Sequence, residues 1–455
     1  MKKNIFKIAG IIFCFVFFSI KTQAQTILFT LTTDTAGTIA EPFDSTMAAR
    51  LNVKINAAAI TSTENQVLSI ILPAPGDDNG IGVKIEKTRQ ETNPILNVFS
   101  WYGKIQNQPG SFVLLSVKGN VVSGHIRTME DAGTVKYYRI NYIGNNLHKI
   151  TLVIQQFFKE DRSDNPATYF PNYPEGQQGE TICHDTAGVI DVLVVYTFTA
   201  RDASGGTDAI TDEINTCEGI TNQSFANSLL TQRIRVVKIL EVDYAETNAQ
   251  QDRDRLQNKT DNFMDNVHTV RDQENADVVI LIVEDGRFYS GYSFTMEVVS
   301  PAFSDFAFGV VERNAASSNY SFPHELGHIL GAKHDCAADG TLTPFPYSHG
   351  HFMGNVETIM SMSSSANRLE QWSHPDIVFI GTSVASGVDI GTCQAYDAQT
   401  LSNTIDIVTK FRCSESKKKP PRFVCGIWSV CFWLAILASV IIIVFLIWFF
   451  RRRKK

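Results

Sequence analysis

Between Ser318 and Cys336 the chain reads SNYSFPHELGHILGAKHDC, and His324, Glu325, His328 and His334 fall within eleven residues in an otherwise apolar run. Neutral imidazole is the commonest protein ligand for a metal, and a carboxylate beside such a ligand can move a proton without ligating. The spacing decides whether these groups can act together. On a helix, His324 and His328 share a face, about 40° out of alignment and one turn apart, so both can reach one ion while Glu325 projects to its side. A helix continued to His334 would carry that residue roughly 15 Å along the axis from His324, far outside a shell with metal–nitrogen bonds of ~2.0–2.1 Å. The helix therefore has to stop and turn back. Gly331 stands between, and glycine enters the left-handed conformation that ends a helix and reverses the chain. Two histidines bracketing a glutamate at this spacing arise by chance on the order of 1% of the time in such a chain, and requiring Gly331 and His334 as well lowers this to about 10⁻⁵.

The elements that must position these groups precede them. VIDVLVVYT (Val189–Thr197) and DVVILIVED (Asp277–Asp285) are continuous apolar runs of buried-strand length, and IRVVKILEVDY is a third strand. Asp208–Asn227 and Arg253–Arg271 carry helical spacing. Strands alternating with helices predict an α/β (or α+β) domain with a mixed, mostly parallel sheet. From Gln25 to about Lys159 the pattern differs: short alternating runs such as SFVLLSV, GNVVSGHIRT, VKYYRINYIG and HKITLVIQ, separated by Gly-Asn turns, predict an antiparallel β domain. KEDRSDNPATYFPNYPEGQQGE (Lys159–Glu180), rich in Pro, Gly and charge, reads as an exposed linker between the two.

At 455 residues, 44% hydrophobic and 19% charged, the chain is globular and long enough for two domains with accessory segments. A net charge of −7 without a basic patch in the soluble part argues against nucleic acid as a partner. Lys2, Lys3 and Lys7 followed by IAGIIFCFVFFSI and TQAQ have the order of a secretory signal peptide ending at Ala24. Phe423–Phe450 is uncharged and closed by RRRKK, and about 20 helical residues suffice to cross a bilayer. The expected organisation is a signal peptide (1–24), a β-rich N-terminal domain (25–158), a linker with the processing region (159–187), the α/β domain (188–413), a juxtamembrane stretch (414–422), a transmembrane helix (423–450) and a basic cytoplasmic tail (451–455). That places the domains outside the cell on a single-pass anchor, the alternative being secretion after C-terminal processing. Five of the eight cysteines (Cys183, Cys217, Cys336, Cys393 and Cys413) would then be exterior, and exported thiols usually pair.

HELGHILGAKHD resembles the long zinc signature of the metzincin metallopeptidases, and Asp335 directly after the third histidine resembles the reprolysin/adamalysin branch in its secreted bacterial form. ETIMSMSS carries Met360 where metzincins have their methionine turn, and WSHPDIVFIG is similar to the segment that walls the specificity pocket. The β domain looks like the pro-region of such enzymes. The resemblance implies a metzincin-type catalytic domain with one catalytic Zn²⁺ on His324, His328 and His334, Glu325 as general base and acid, Gly331 as the turn, Asp335 as a structural hydrogen-bonding residue and Met360 as the floor of the site. It implies hydrolysis of peptide bonds in extracellular protein or peptide substrates. Met362 stands where astacins and serralysins have a tyrosine, so no switchable tyrosine ligand is expected. The sequence supports no Ca²⁺ site, although some relatives bear one. The contrasting reading is a catalytically silent zinc-binding adhesion module on the same scaffold, which the intact Glu325 disfavours. Cys183 has two readings: an ordinary disulfide with Cys217 or another partner, or a latency ligand that fills the fourth metal position until the linker is cut. His374 in WSHP reads as a loop residue. FAFGVVERN (Phe306–Asn314) is the candidate sheet edge for a substrate strand.

Overall fold

The computed structural model describes residues 26–63, 66–130, 134–164, 188–363, 366–379, 384–389, 391 and 393–413. The signal peptide, most of the linker with Cys183, and the apolar run with its basic tail lie outside the described residues. Among the described residues no helix is long and apolar enough to cross a membrane. The chain divides into two compact units, one comprising the residues up to Ile154 with Ser204–Thr216, the other Gln155–Ala203 and the residues from Cys217 on.

The N-terminal unit is built on a ten-stranded sheet. Val98–Ile105, Phe112–Lys118, Val121–Met129, Val135–Gly144 and Leu147–Val153 pair consecutively and antiparallel. Their turns are written in the sequence. Asn145 and Asn146 both have positive φ, as a two-residue turn that follows the right-handed twist of its strands requires, and asparagine accepts that conformation with little strain. Gly119 does the same before Val121. Alternation along these strands buries Trp101, Leu115, Ile126, Ile140 and Ile150 in one core.

The second unit carries a six-stranded sheet. Its strands are β1 (Asp161–Asp164), β2 (Val189–Thr197), β3 (Arg233–Val242), β4 (Val278–Val283), β5 (Gly291–Phe294) and β6 (Phe308–Glu312), in the order β1-β5-β6-β4-β2-β3. Only β5–β6 is antiparallel; β1–β5, β2–β3, β2–β4 and β4–β6 are parallel. β2 and β4 are interior strands covered on both faces, which is why they read as unbroken apolar runs. Helices α1 (Thr207–Asn227, of which the residues from Cys217 on belong to this unit), α2 (Ala249–Gln257), α3 (Asn266–Glu274), α4 (Ser321–Ile329) and α5 (Asp397–Val408) follow in chain order.

Three sequence expectations change. The helix expected over 253–271 is two helices, because Asn258 is extended and Asn262 and Met264 have positive φ, which no α-helix continues through. FAFGVVERN is not an edge: it contains β6, which lies between β4 and β5 with both sides paired. The strand that displaces it is GYSF, four residues long and too short for a period to register. Finally, the linker is not exposed from its start, since β1 closes the sheet beside β5 and Asp161 is fully buried.

Candidate metal centre and catalytic carboxylate

Helix α4 is buried along its whole length and carries the first two histidines. His324 Nδ1 lies 2.8 Å from the carbonyl of Ile359 and His328 Nδ1 2.9 Å from that of Ala332. A carbonyl only accepts, so each ring donates through Nδ1 and turns the lone pair of Nε2 inward. After α4 the chain reverses through Gly331 at φ +88°, and a Cβ there would also press on Pro344 and the carbonyl of Met296. The returning segment is fixed by backbone bonds from Lys333 N to Ser348 O and from Gly350 N to Lys333 O, and His349 Nδ1 donates to the His334 carbonyl. His334 Nε2 thereby lies 3.2 Å from His324 Nε2 and 3.1 Å from His328 Nε2.

Three neutral nitrogen donors in a tetrahedral shell at ~2.0–2.1 Å stand roughly 3.3–3.4 Å apart, so the triad fits a zinc ion. Burial holds all three imidazoles well below the usual histidine range, His328 down to about 3, which keeps them unprotonated. Inward-facing lone pairs at this spacing could hold a cation between them.

Glu325 is fully buried beside the triad. Ser293 Oγ, on β5, donates to its Oε2 at 2.5 Å, whereas Oε1 has no hydrogen-bond partner among the described residues. Burial pushes this carboxyl well above the usual range, and the nearby Asp161 carboxylate adds to the effect. An acid group poised to hold a proton, with one oxygen fixed and the other open, suits proton transfer. Gly291 makes the room: a Cβ at that position would lie 2.3 Å from Glu325 Oε1.

The supporting residues named from sequence converge here. Asp335 Oδ2 accepts from Met362 N at 2.8 Å and Ser361 Oγ at 3.2 Å, and its Oδ1 accepts from Ala337 N, so it ties the third histidine's segment to the turn after Met360. Met360 is fully buried, and a Cβ on Gly327 of α4 would come within 2.6 Å of its Sδ, which shows how closely that side chain lies under the helix. Cys336, unassigned by sequence, is bridged to Cys393. Cys413 is also disulfide-bonded, and Cys217 is buried. Cys183, the expected latency candidate, lies outside the described residues. His374 sits apart from the triad, with Nδ1 accepting from Asp376 N and Nε2 3.3 Å from Tyr396 Oη.

Two charged groups at the site escaped the sequence reading. One is Asp161, whose carboxylate clusters with His324 and Glu325, ligand atoms within 4.8 Å of one another. The other is Arg368, buried, ion-paired through Nη1 with Asp161 Oδ2 and 3.6 Å from Glu357. KEDRSD looks like a solvated charge run, and a lone arginine after the methionine turn carries no pattern, so neither sends a local signal.

The family described as "Metallo-peptidase family M12" matches residues 186–373. A "Peptidyl-Asp metalloendopeptidase" of Stenotrophomonas maltophilia is 30% identical over 362 residues, covering 73% of this chain and 82% of the relative. One of the same description from Xanthomonas campestris pv. campestris is 30% identical over 335 residues, 69% of this chain and 75% of the relative. Among solved structures, metalloproteinase-II from Bacteroides fragilis is matched over 72% of this chain and 92% of its own at 13% identity and a TM-score of 0.40, a likeness too low to argue from. A match of this identity along four fifths of a relative, on a chain whose three buried histidines converge at zinc spacing, decides the family: the chain belongs to the M12 metallopeptidases and is a zinc metalloendopeptidase of the reprolysin-like type.

Proposed function

We propose that His324, His328 and His334 hold the zinc ion and that Glu325 is the general base and acid of peptide-bond hydrolysis. The observation that carries this reading is the unpartnered, buried Glu325 Oε1 beside three inward-facing neutral imidazoles. When bound, zinc supplies Lewis-acid polarisation of the scissile carbonyl and lowers the pKa of water. Glu325 takes the proton of the attacking water on Oε1 and returns it to the leaving amine, while the Ser293 hydroxyl keeps Oε2 in place. Met360 and Asp335 keep the floor and the third histidine rigid, so the nitrogen positions do not drift between turnovers.

The relatives' description makes a bond beside an aspartyl residue the first substrate class to test. The N-terminal β domain acts as a pro-region, processing falls in the linker between 159 and 187, and the signal peptide and C-terminal anchor place the enzyme at the cell surface with extracellular proteins as substrates. What supports this part is the order of the sequence segments.

The test incubates the full chain, before and after limited cleavage of the linker, with a proteome-derived peptide mixture, wild type beside Glu325→Gln. New peptide ends read by mass spectrometry should depend on zinc and on Glu325. Cleavage that persists in Glu325→Gln, or none in the zinc-loaded processed wild type, overturns the reading.

A further inference from the structure

We propose that Arg368 is the subsite for an acidic side chain next to the scissile bond, and that Asp161 occupies it as an internal stand-in while the segment 155–164 remains attached. The inference rests on the peptidase reading above and deepens it by naming the residue that selects the substrate.

Four observations meet at this place. Asp161 opens strand β1, which runs along β5 with Asp161 opposite Gly291 and Asp164 opposite Phe294. Gly291 is the residue against which the Glu325 carboxylate lies, so β1 follows the sheet edge past the catalytic carboxylate. A substrate strand added to the same edge would take the place of β1. Second, Asp161 is fully buried; its Oδ2 pairs with Arg368, Oδ1 has no hydrogen-bond partner among the described residues, and the carboxylate clusters with His324 and Glu325. The side chain that meets Arg368 therefore belongs to the residue passing the reacting groups.

Third, the guanidinium is held in advance by groups outside β1. Nη1 also donates to the Asn319 carbonyl at 3.2 Å, Nε donates to the Ser361 carbonyl at 3.3 Å, and Glu357 stands 3.6 Å away. Asn319 lies just ahead of α4 and Ser361 just after Met360, so Arg368 is fastened to both walls of the site and would stay when β1 leaves. Fourth, a cleft opens at Arg368, lined among others by Gln155, Phe158, Asn319, Met362 and Ala366; the leading segment closes one side of it. A buried guanidinium that loses a carboxylate partner is strongly destabilised, and a substrate carboxylate restores the pair. A site of this kind rejects an isostere that lacks the charge far more strongly than an apolar pocket rejects a missing methylene. The reach of Asp161 sets the length, so aspartate fits and glutamate carries one methylene too many.

The test measures binding, so it does not depend on turnover. The full chain carrying Glu325→Gln is loaded with zinc and cut in the linker, and a labelled peptide with the sequence of residues 155–164 is titrated in. Replacing the peptide residue that corresponds to Asp161 by Asn should weaken binding at least about tenfold, and by Glu less, with the protein itself unchanged. Arg368→Gln should abolish the difference between the Asp and Asn peptides, and Arg368→Lys should keep part of it. In the active chain, Arg368→Gln should cut the Asp-over-Asn preference in kcat/KM by roughly 100-fold. Equal binding of the Asp and Asn peptides overturns the proposal. Arg368-dependent binding in a chain whose processed wild type cleaves nothing would uphold the subsite and reject the peptidase reading instead.

Discussion

At the scale of single residues the site is a contest between burial and charge. Glu325 is kept inside the protein with one oxygen satisfied by Ser293 and the other left open, an arrangement that costs stability unless the open oxygen meets a reacting proton. Glu325→Gln preserves the shape and the hydrogen bond but cannot take the proton. We expect it to retain zinc, measured by metal analysis, and to lose about 10²–10⁴-fold in kcat. Gly291→Ala probes the same group from the other side. Its Cβ would stand 2.8 Å from the Glu325 Cδ, so the carboxylate has to move. The expected result is a roughly 100-fold fall in kcat/KM with zinc content unchanged, since a displacement of about an ångström in a reacting group costs that much. Loss of zinc in parallel with activity would show that the glycine serves the fold and not Glu325.

At the scale of elements, the decisive feature is a helix that ends on time. Helix α4 supplies two nitrogens on one face, and Gly331 at φ +88° sends the chain back to supply the third. Any L-residue at that φ is strained by about 1–2 kcal/mol. Gly331→Ala should lower stability by at least about that amount in chemical denaturation and weaken zinc binding in competition with a chromogenic chelator, because His334 rides on the turn. Unchanged zinc affinity would mean that the backbone bonds of Lys333 and Gly350 fix His334 without the glycine. The short strand β5 is the other decisive element. It carries both Gly291 and Ser293 to Glu325 and offers its outer edge to β1, yet it is only four residues long.

At the scale of the whole molecule, stability depends on pH through a buried carboxyl of the N-terminal unit. Asp212, in the part of α1 that belongs to the N-terminal unit, is fully buried and accepts from Ser116 Oγ and Ser123 N, each at 2.5 Å. Burial outweighs those hydrogen bonds and pushes its pKa up to about 7. The native state therefore holds a proton that the unfolded state releases near pH ~4. The stability contributed by this proton is complete below pH ~4 and is lost as pH rises through about 7. Thermal unfolding should show a drop in midpoint between pH 5 and pH 8 that Asp212→Asn largely removes; the same drop in the variant would assign it to other groups. Chelation of zinc should lower the midpoint of the catalytic unit at any pH, since an ion bound only by the native state stabilises it by mass action.

The convergence of the three histidines was legible in the sequence because it is local. His324, His328, Gly331 and His334 lie within one helix and one turn, where spacing along the chain translates directly into angle and distance. The interior strands β2 and β4 were legible for a similar reason, since burial on both faces writes itself as an unbroken apolar run. The sequence alone thus determined the triad, the carboxylate beside it and the alternation of strands and helices that carries them. Only the tertiary structure decided which edge of the sheet faces that triad and which charges reach it. Asp161 and Arg368 are 207 residues apart, and each looks ordinary in its own neighbourhood. Gly291 and Ser293 matter because β5 inserts between β1 and β6, parallel to the first and antiparallel to the second, a pairing that no local period records. Long-range pairing sets the register of such groups, and a one-dimensional pattern carries no information about it.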